Sequence, residues 1–459
     1  MTGHDSAADS SGRVGRRTLL QAAGTSSASV LAGCGRFDPE RSADVDQRRP
    51  ADNDGGDGEH QIVELEPQLN LGGRRVVSGP DSVGYDTIRA AWRAAGDGDV
   101  IFVHGTYDAE AADEPLPVTL DYTEKEVMLS GGHPSASVID ARHAPEKNVV
   151  EVIGKAHADY RNKALVQHLK IRGGDIGLRI RGATYSTYKD LIIHGTGGDG
   201  VRVEEYTDSQ GQDKQSFGMT FRNCMVWRCG GAGVRLEPGA QPHGTTFYGC
   251  DSLFNGLETG APGVALRGYS SRWVNGVVQN NGGFGIEARA GASQSVRDAY
   301  LEGNGMTQSH PHGIFVDETS PGFTLQNCYF QGGYFRPAPS GRDRGFRGIA
   351  VAGADGVELR GCTYKNYTGA FCHLRETEDA DVHIPTHTGL DSTDFQDSWD
   401  NRRVRSSGIM LESDLSDGRP EGRFVGDVGT HDGTGDGPWG LAMWNGRAWV
   451  SVMNGTVIR

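Results

Sequence analysis

The chain of 459 residues lacks most of the short motifs that would name a chemistry outright. It has 7 cysteines, but no Cys-x-x-Cys pair and no accompanying histidine spacing, which disfavours a zinc site. No Gly-x-Ser-x-Gly nucleophile turn and no Gly-x-x-x-x-Gly-Lys phosphate loop is present. A basic excess is missing as well: 60 acidic against 45 basic residues give a formal charge of −15. That balance disfavours nucleic acid as a partner. The single weakly apolar stretch near the N-terminus is too short to span a membrane. Glycine is plentiful, at 69 residues, yet it follows no triplet period, so a collagen-like fold is excluded.

What is there instead is a phrase that keeps returning. Gly177-Leu178-Arg179-Ile180 is followed by phrases led by Gly200, Gly233, Gly263, Gly285, Gly313 and Gly348, at steps of 23, 33, 30, 22, 28 and 35 residues. Glycine followed by an alternating strand, at steps of this size, marks a solenoid. Each phrase is answered by a second strand, among them Tyr188 to His194, Met219 to Trp227 and Phe323 to Phe330. Irregular strands between Val127 and Ile171 form the first coils.

Ahead of the repeat, Asp86 to Gly96 reads as a short amphipathic helix. Asp86 caps it, Ile88, Ala91, Trp92 and Ala95 share a face, and Gly96 ends it. A helix there would cover the open end of a β-solenoid, where strand edges are unpaired. The run of helix, Asp97-Gly98-Asp99, strand Val100 to Val103 and His104-Gly105-Thr106-Tyr107 resembles the opening of pectate-lyase-like right-handed β-helices. The resemblance covers about Ser78 to Ala370 and implies an all-β, right-handed parallel β-helix with an N-terminal capping helix. It specifies fold far more than activity, because the calcium-binding Asp clusters and the Trp-x-Asp-His segment of pectate lyases are missing. No cofactor is expected, and calcium has no motif to support it.

Residues 1–34 resemble an export address: Arg16-Arg17 before the weakly apolar stretch, then Leu31-Ala32-Gly33-Cys34. The resemblance is to a twin-arginine signal with a lipobox. It implies a protein outside the cytoplasm, anchored to the outer face of the membrane by lipid on Cys34. Scarce lysine beside abundant Asp and Gly resembles proteins of salt-loving archaea. Residues 35–77 read as a flexible acidic linker, 78–375 as the β-helix and 376–418 as a second linker. Residues 419–459, with Asp-Gly and Asn-Gly turns and Trp439, Trp444 and Trp449, read as a small β-hairpin module. Similar terminal modules on β-helical spikes and fibres aid assembly, which implies a homotrimer.

Aligning the repeat places Cys224, Cys250, Cys328 and Cys362 at one position. Equivalent residues of stacked parallel strands lie about 4.8 Å apart. The four thiols therefore read as a buried, reduced ladder, with Cys224–Cys250 and Cys328–Cys362 disulfides as the alternative.

The same alignment sends a charged stripe outward: Arg179, Arg202 and Arg235 on one line, Glu204, Glu237, Arg267 and Arg289 on the next. Glu204 and Glu237 fall on successive coils about 5 Å apart, the separation an acid/base pair of a retaining glycosidase needs. If the chemistry is elimination, an arginine or His243 is the proton acceptor instead. Arg202, Arg235, Arg267 and Arg289 are the groups expected to hold uronate or sulfate. Tyr334 and Arg336, in an insertion before Gly348, supply a flat face and a further guanidinium. His310 and His312 alternate like metal ligands, but no third ligand is identifiable.

Two functions follow. One is a surface protein that binds acidic polysaccharide and cleaves it as lyase or hydrolase. The other is a non-catalytic adhesin or stalk that binds glycans or envelope components. A solvated ladder of interleaved salt bridges would present the same stripe on either.

Overall fold

The structure is a computed structural model, and it describes residues 84–154, 163–307, 312–332 and 347–365, with separate strands at 74–78 and between 372 and 451. All of these fall in one compact unit, Leu69–Arg459. Three parallel sheets dominate it, with 13, 10 and 11 strands among the described residues, here called sheets A, B and C. One coil visits them in that order: Ser186–Lys189 in A, Ile192–His194 in B, Val201–Glu204 in C, then Thr220–Arg222 back in A. The fold is a right-handed parallel β-helix.

The corners explain why the chain turns where it does. Between sheets A and B stands a residue of positive φ in coil after coil: Asp190 (49°), Asn223 (52°), Gly249 (62°), Asn275 (53°), Asp298 (51°), Asn327 (51°) and Gly361 (59°). Only Gly, Asn and Asp visit that region at low cost. The single strand expected from Met219 to Trp227 is therefore two, Thr220–Arg222 and Met225–Trp227, bent at Asn223. Asn223 Nδ2 donates to Asp190 Oδ1 of the preceding coil at 3.1 Å, and Asn327 repeats the bond to Asp298 at 3.2 Å. Past sheet B, Asn255, Asn281 and Asn304 form a buried amide ladder, each Oδ1 accepting the backbone N–H of the coil before.

The repeated glycines have a different reason. At Gly200 a Cβ would stand 2.2 Å from Val226 Cγ1, and at Gly233 it would stand 2.4 Å from Ser252 Oγ. Sheet C passes too close to sheet B there for any side chain. Inward residues of sheet A stack along the lumen: the rings of Tyr188, Phe221, Phe247 and Trp273 follow one another at 4.7, 4.6 and 5.3 Å. Such pairs add roughly 0.5–1.5 kcal/mol each beyond their burial.

The helix is Ile88–Ala94, and its N-cap is Thr87, whose hydroxyl accepts from Ala90 N at 2.9 Å. Asp86 does not cap it, because Thr87 is the residue in extended conformation one step before the first turn. Ile88, Ala91, Trp92 and Ala95 are buried as the pattern predicts, and Ala95, not Gly96, is the C-cap. Sheet A begins earlier than the repeat suggests, with Arg74–Ser78 beside Val100–His104. It also runs on through Val382–Ile384 to Val404–Ser406. Neither end carries the glycine-led phrase, so the pattern gave no sign of them. A separate sheet of four strands follows: Ile409–Asp414, Val428–His431, Gly440–Trp444 and Trp449–Ser451. Trp444 and Trp449 are register partners in the last antiparallel pair.

Candidate functional site

The charged stripe lies on the outer face of sheet C. Arg179, Arg202 and Arg235 occupy paired register positions on adjacent strands, and Arg181 stands opposite Glu204. Like charges so close need compensation, and the structure supplies it rung by rung. Glu151 pairs with Arg179 at 3.2 Å and with Arg181 at 3.0 Å. Glu204 Oε2 takes Arg179 at 2.5 Å, and its Oε1 lies 3.5 Å from Arg202. Glu287 pairs with Arg267 at 2.6 Å and Arg289 at 3.0 Å, and Asp317 lies 3.4 Å from Arg289. Six arginines thus alternate with carboxylates along one rigid face.

The residue that organises the middle of the stripe is Asp199, which sequence reasoning missed. It is 1% exposed, yet three groups converge on it. Ala232 N donates to Oδ1 at 2.7 Å, while Nε of Arg202 and Nε of Arg235 donate to Oδ2 at 2.6 and 2.8 Å. Burial alone would lower the Arg202 guanidinium, but Asp199 and then Glu204 more than offset this and hold it above its ordinary range. Directly before the repeated glycines stand Ile176, Asp199, Ala232, Pro262, Phe284, His312 and Arg347, a mixed column in which an acid does not stand out.

The two carboxylates expected to act together stand in different surroundings. Both oxygens of Glu204 face guanidiniums. Glu237 is 41% exposed, its nearest cation is Arg235 at 3.8 Å, and its backbone begins the short 3-10 turn Pro238–Ala240. Their main chains are neighbours, since Glu237 N donates to Val203 O at 2.9 Å. His243 lies beyond that turn, at the corner leading into sheet A. Its Nδ1 accepts from Tyr269 N at 3.0 Å, which leaves Nε2 as an N–H donor in the neutral ring, and burial lowers its pKa. Arg267 is almost covered, donating to Leu266 O and Glu287 O at 3.0 and 2.8 Å. Arg289 is more open and lies 4.9 Å over the Phe315 ring. Tyr334, Arg336 and Cys34 lie outside the described residues.

Two insertions border the stripe. In the first, Tyr206–Thr207 pairs antiparallel with Asp213–Lys214, and Arg181 sits 5.1 Å over the Tyr206 ring. The second runs from Pro238 to Gly244. They are joined by bonds from Ser216 N to Ala240 O at 2.8 Å and from Gly218 N to His243 O at 2.7 Å. The outer face of sheet C beside these joined insertions can hold a chain of hydroxyl and acid groups by charge-assisted hydrogen bonds.

A family model described as "Right handed beta helix region" matches residues 214–384. No curated protein matches the chain. Among solved structures, the full-length tailspike protein 2 from Escherichia coli O157:H7 bacteriophage CAB120 is similar at 13% identity and a TM-score of 0.48, over 66% of this chain and 41% of its own. The chain thus spans less than half of that tailspike. An alginate lyase from Paenibacillus sp. str. FPU-7 is similar at 13% identity and a TM-score of 0.48, over 67% and 99%. Pectate lyase Pel9A is similar at 12% identity and 0.41, over 73% and 79%.

Proposed function

We propose that this chain binds acidic polysaccharide along the outer face of sheet C, with Arg202 and Arg235 as the principal contacts. One observation carries the reading. Two partly exposed guanidiniums on adjacent coils are held side by side by one buried carboxylate, Asp199. Their orientation is set before any ligand arrives, so little side-chain entropy is lost on binding. The N–H groups not engaged by Asp199 offer a paired donor surface to uronate or sulfate oxygens. Arg289 extends the surface along the axis, and Arg267 serves it indirectly by fixing Glu287. Tyr334 and Arg336 belong to the same proposal as a flanking aromatic and cationic contact.

A second reading, cleavage, draws on Glu237. It is the open carboxylate of the expected pair and stands where the 238–244 insertion begins. In hydrolysis Glu237 would meet the substrate while Glu204 remains tied to Arg179 and Arg202. Export with a lipid on Cys34 would place the face outside the cell, and the C-terminal sheet would serve assembly into a trimer. A panel of polyuronates and sulfated glycans, read for binding, reducing-end release and unsaturated-uronate absorbance together, tests the proposal. Binding to neither class of glycan contradicts it. Binding without turnover rejects the cleavage reading alone.

A further inference from the structure

We propose that Cys224 with Cys250, and Cys328 with Cys362, are two cross-coil dithiol sites that close to disulfides as the coils stack. All four stand at the corner between sheets A and B, one residue after the positive-φ turn. Their coils are adjacent and in register: Asp251 N donates to Cys224 O at 2.8 Å, and Thr363 N donates to Cys328 O at 3.0 Å. Each thiol points the same way, toward the carbonyl two residues earlier: Arg222, Tyr248, Gln326 and Arg360, at 3.4, 3.6, 3.2 and 3.5 Å. Stacked strands place equivalent Cα atoms about 4.8 Å apart, inside the roughly 4.4–6.8 Å span a disulfide requires.

The ladder also fixes the partners. The rungs between the two pairs are Gly276 and Ala299, and the rung before Cys224 is Leu191. Among the described residues each of the four therefore has one sulfur neighbour and no second. Cys229, buried at the far corner of sheet B, has Asn255 on the next coil and no thiol beside it. The four paired cysteines are free thiols in this structure.

Timing follows from burial. The four thiols are nearly inaccessible once folded. Burial, then the neighbouring thiol, pushes Cys224 and Cys328 up, while the hydrogen bond with Cys328 holds Cys362 below its ordinary value. A covered thiol exchanges slowly because a disulfide in solution cannot reach it. Closure therefore belongs to the moment of stacking, before the lumen is sealed. In each closure two S–H bonds are lost and one S–S bond forms. The two protons go to solvent or to the leaving thiolates, and the two electrons reduce a donor disulfide to two thiols. The donor is a small-molecule or protein disulfide, as an oxidising compartment supplies.

The test is refolding of the full chain in a couple of reduced and oxidised glutathione, with alkylation and peptide mapping without reduction. The expected map shows Cys224 linked to Cys250 and Cys328 linked to Cys362, with Cys229 alkylated. Protein folded first in reductant and then given the same couple should close at least about tenfold more slowly. In Cys250→Ser, Cys224 should become alkylated while the Cys328–Cys362 link persists. Four alkylated cysteines in protein that has regained its β circular-dichroism signal would overturn the proposal. So would links between unstacked cysteines, such as Cys250 to Cys328, at comparable yield. Protein isolated directly from an oxidising compartment, mapped the same way, gives the answer where refolding yields are poor.

Discussion

Arg202 and Arg235 share one oxygen: Oδ2 of Asp199 accepts from Nε of the first at 2.6 Å and from Nε of the second at 2.8 Å. Two cations one coil apart are thereby held parallel by a carboxylate that solvent barely reaches. Asp199→Asn keeps the shape but removes the charge and turns one acceptor into a donor. The expected cost is about 1–3 kcal/mol of stability, read by chemical denaturation, because partly buried donors lose their acceptor. An unchanged denaturation midpoint would show that the arginines are held by something else.

Glu204 and Glu237 make separable predictions. Glu204→Gln should weaken the fold by about 1 kcal/mol, since it breaks contacts to Arg179 and Arg202. Glu237→Gln should leave stability within about 0.5 kcal/mol, as befits an exposed side chain with one long ion pair. Where a glycan is turned over, Glu237→Gln should lower the rate at least about a hundredfold, as loss of a general acid or base does. Full activity in Glu237→Gln would remove it from the chemistry.

The repeated glycine is a steric requirement, and Gly200→Ala tests it. Its new Cβ would meet Val226 Cγ1 at 2.2 Å, so either sheet B or sheet C must shift. A loss of about 1–3 kcal/mol is expected, the usual cost of overpacking. Gly195→Ala tests a different cause, because open space surrounds that position and only its φ of 66° opposes a side chain. It should cost about 1 kcal/mol.

These cases mark how far the sequence could be read. The period of the glycine-led phrase exposed the solenoid and the outward line of Arg179, Arg202 and Arg235, because alternation is local. The bend at Asn223 was hidden inside what reads as one strand, since a single αL residue leaves the apolar pattern intact. The partners of each arginine were not legible either. Whether Glu204 turns toward Glu237 or toward Arg179 depends on side-chain packing across coils, which spacing alone does not encode. Asp199 went unseen because it sits in a glycine-rich turn, where an acid reads as a solvated loop residue.

Acid should weaken the fold through His194. Burial, followed by Lys170 and Arg228, lowers its pKa from 6.5 to about 4. Its ring lies against Trp227 at 4.6 Å. As pH falls below about 6.5 the unfolded chain takes up this proton and the folded chain does not, until pH reaches about 4. Stability is therefore present above that window and lost on the way down. His194→Gln should flatten the slope between those limits in denaturation curves taken at several pH values. An unchanged slope would assign the acid sensitivity to other groups.

The proposal that the paired guanidiniums of sheet C hold an acidic glycan is tested by calorimetric titration of polyuronate into the full chain, compared with Arg202→Ala/Arg235→Ala, each at low and high salt. The native chain should bind, binding should weaken with salt, and the double variant should lose at least about tenfold in affinity while keeping its β circular-dichroism signal. Equal affinity in the native chain and the folded double variant would contradict it.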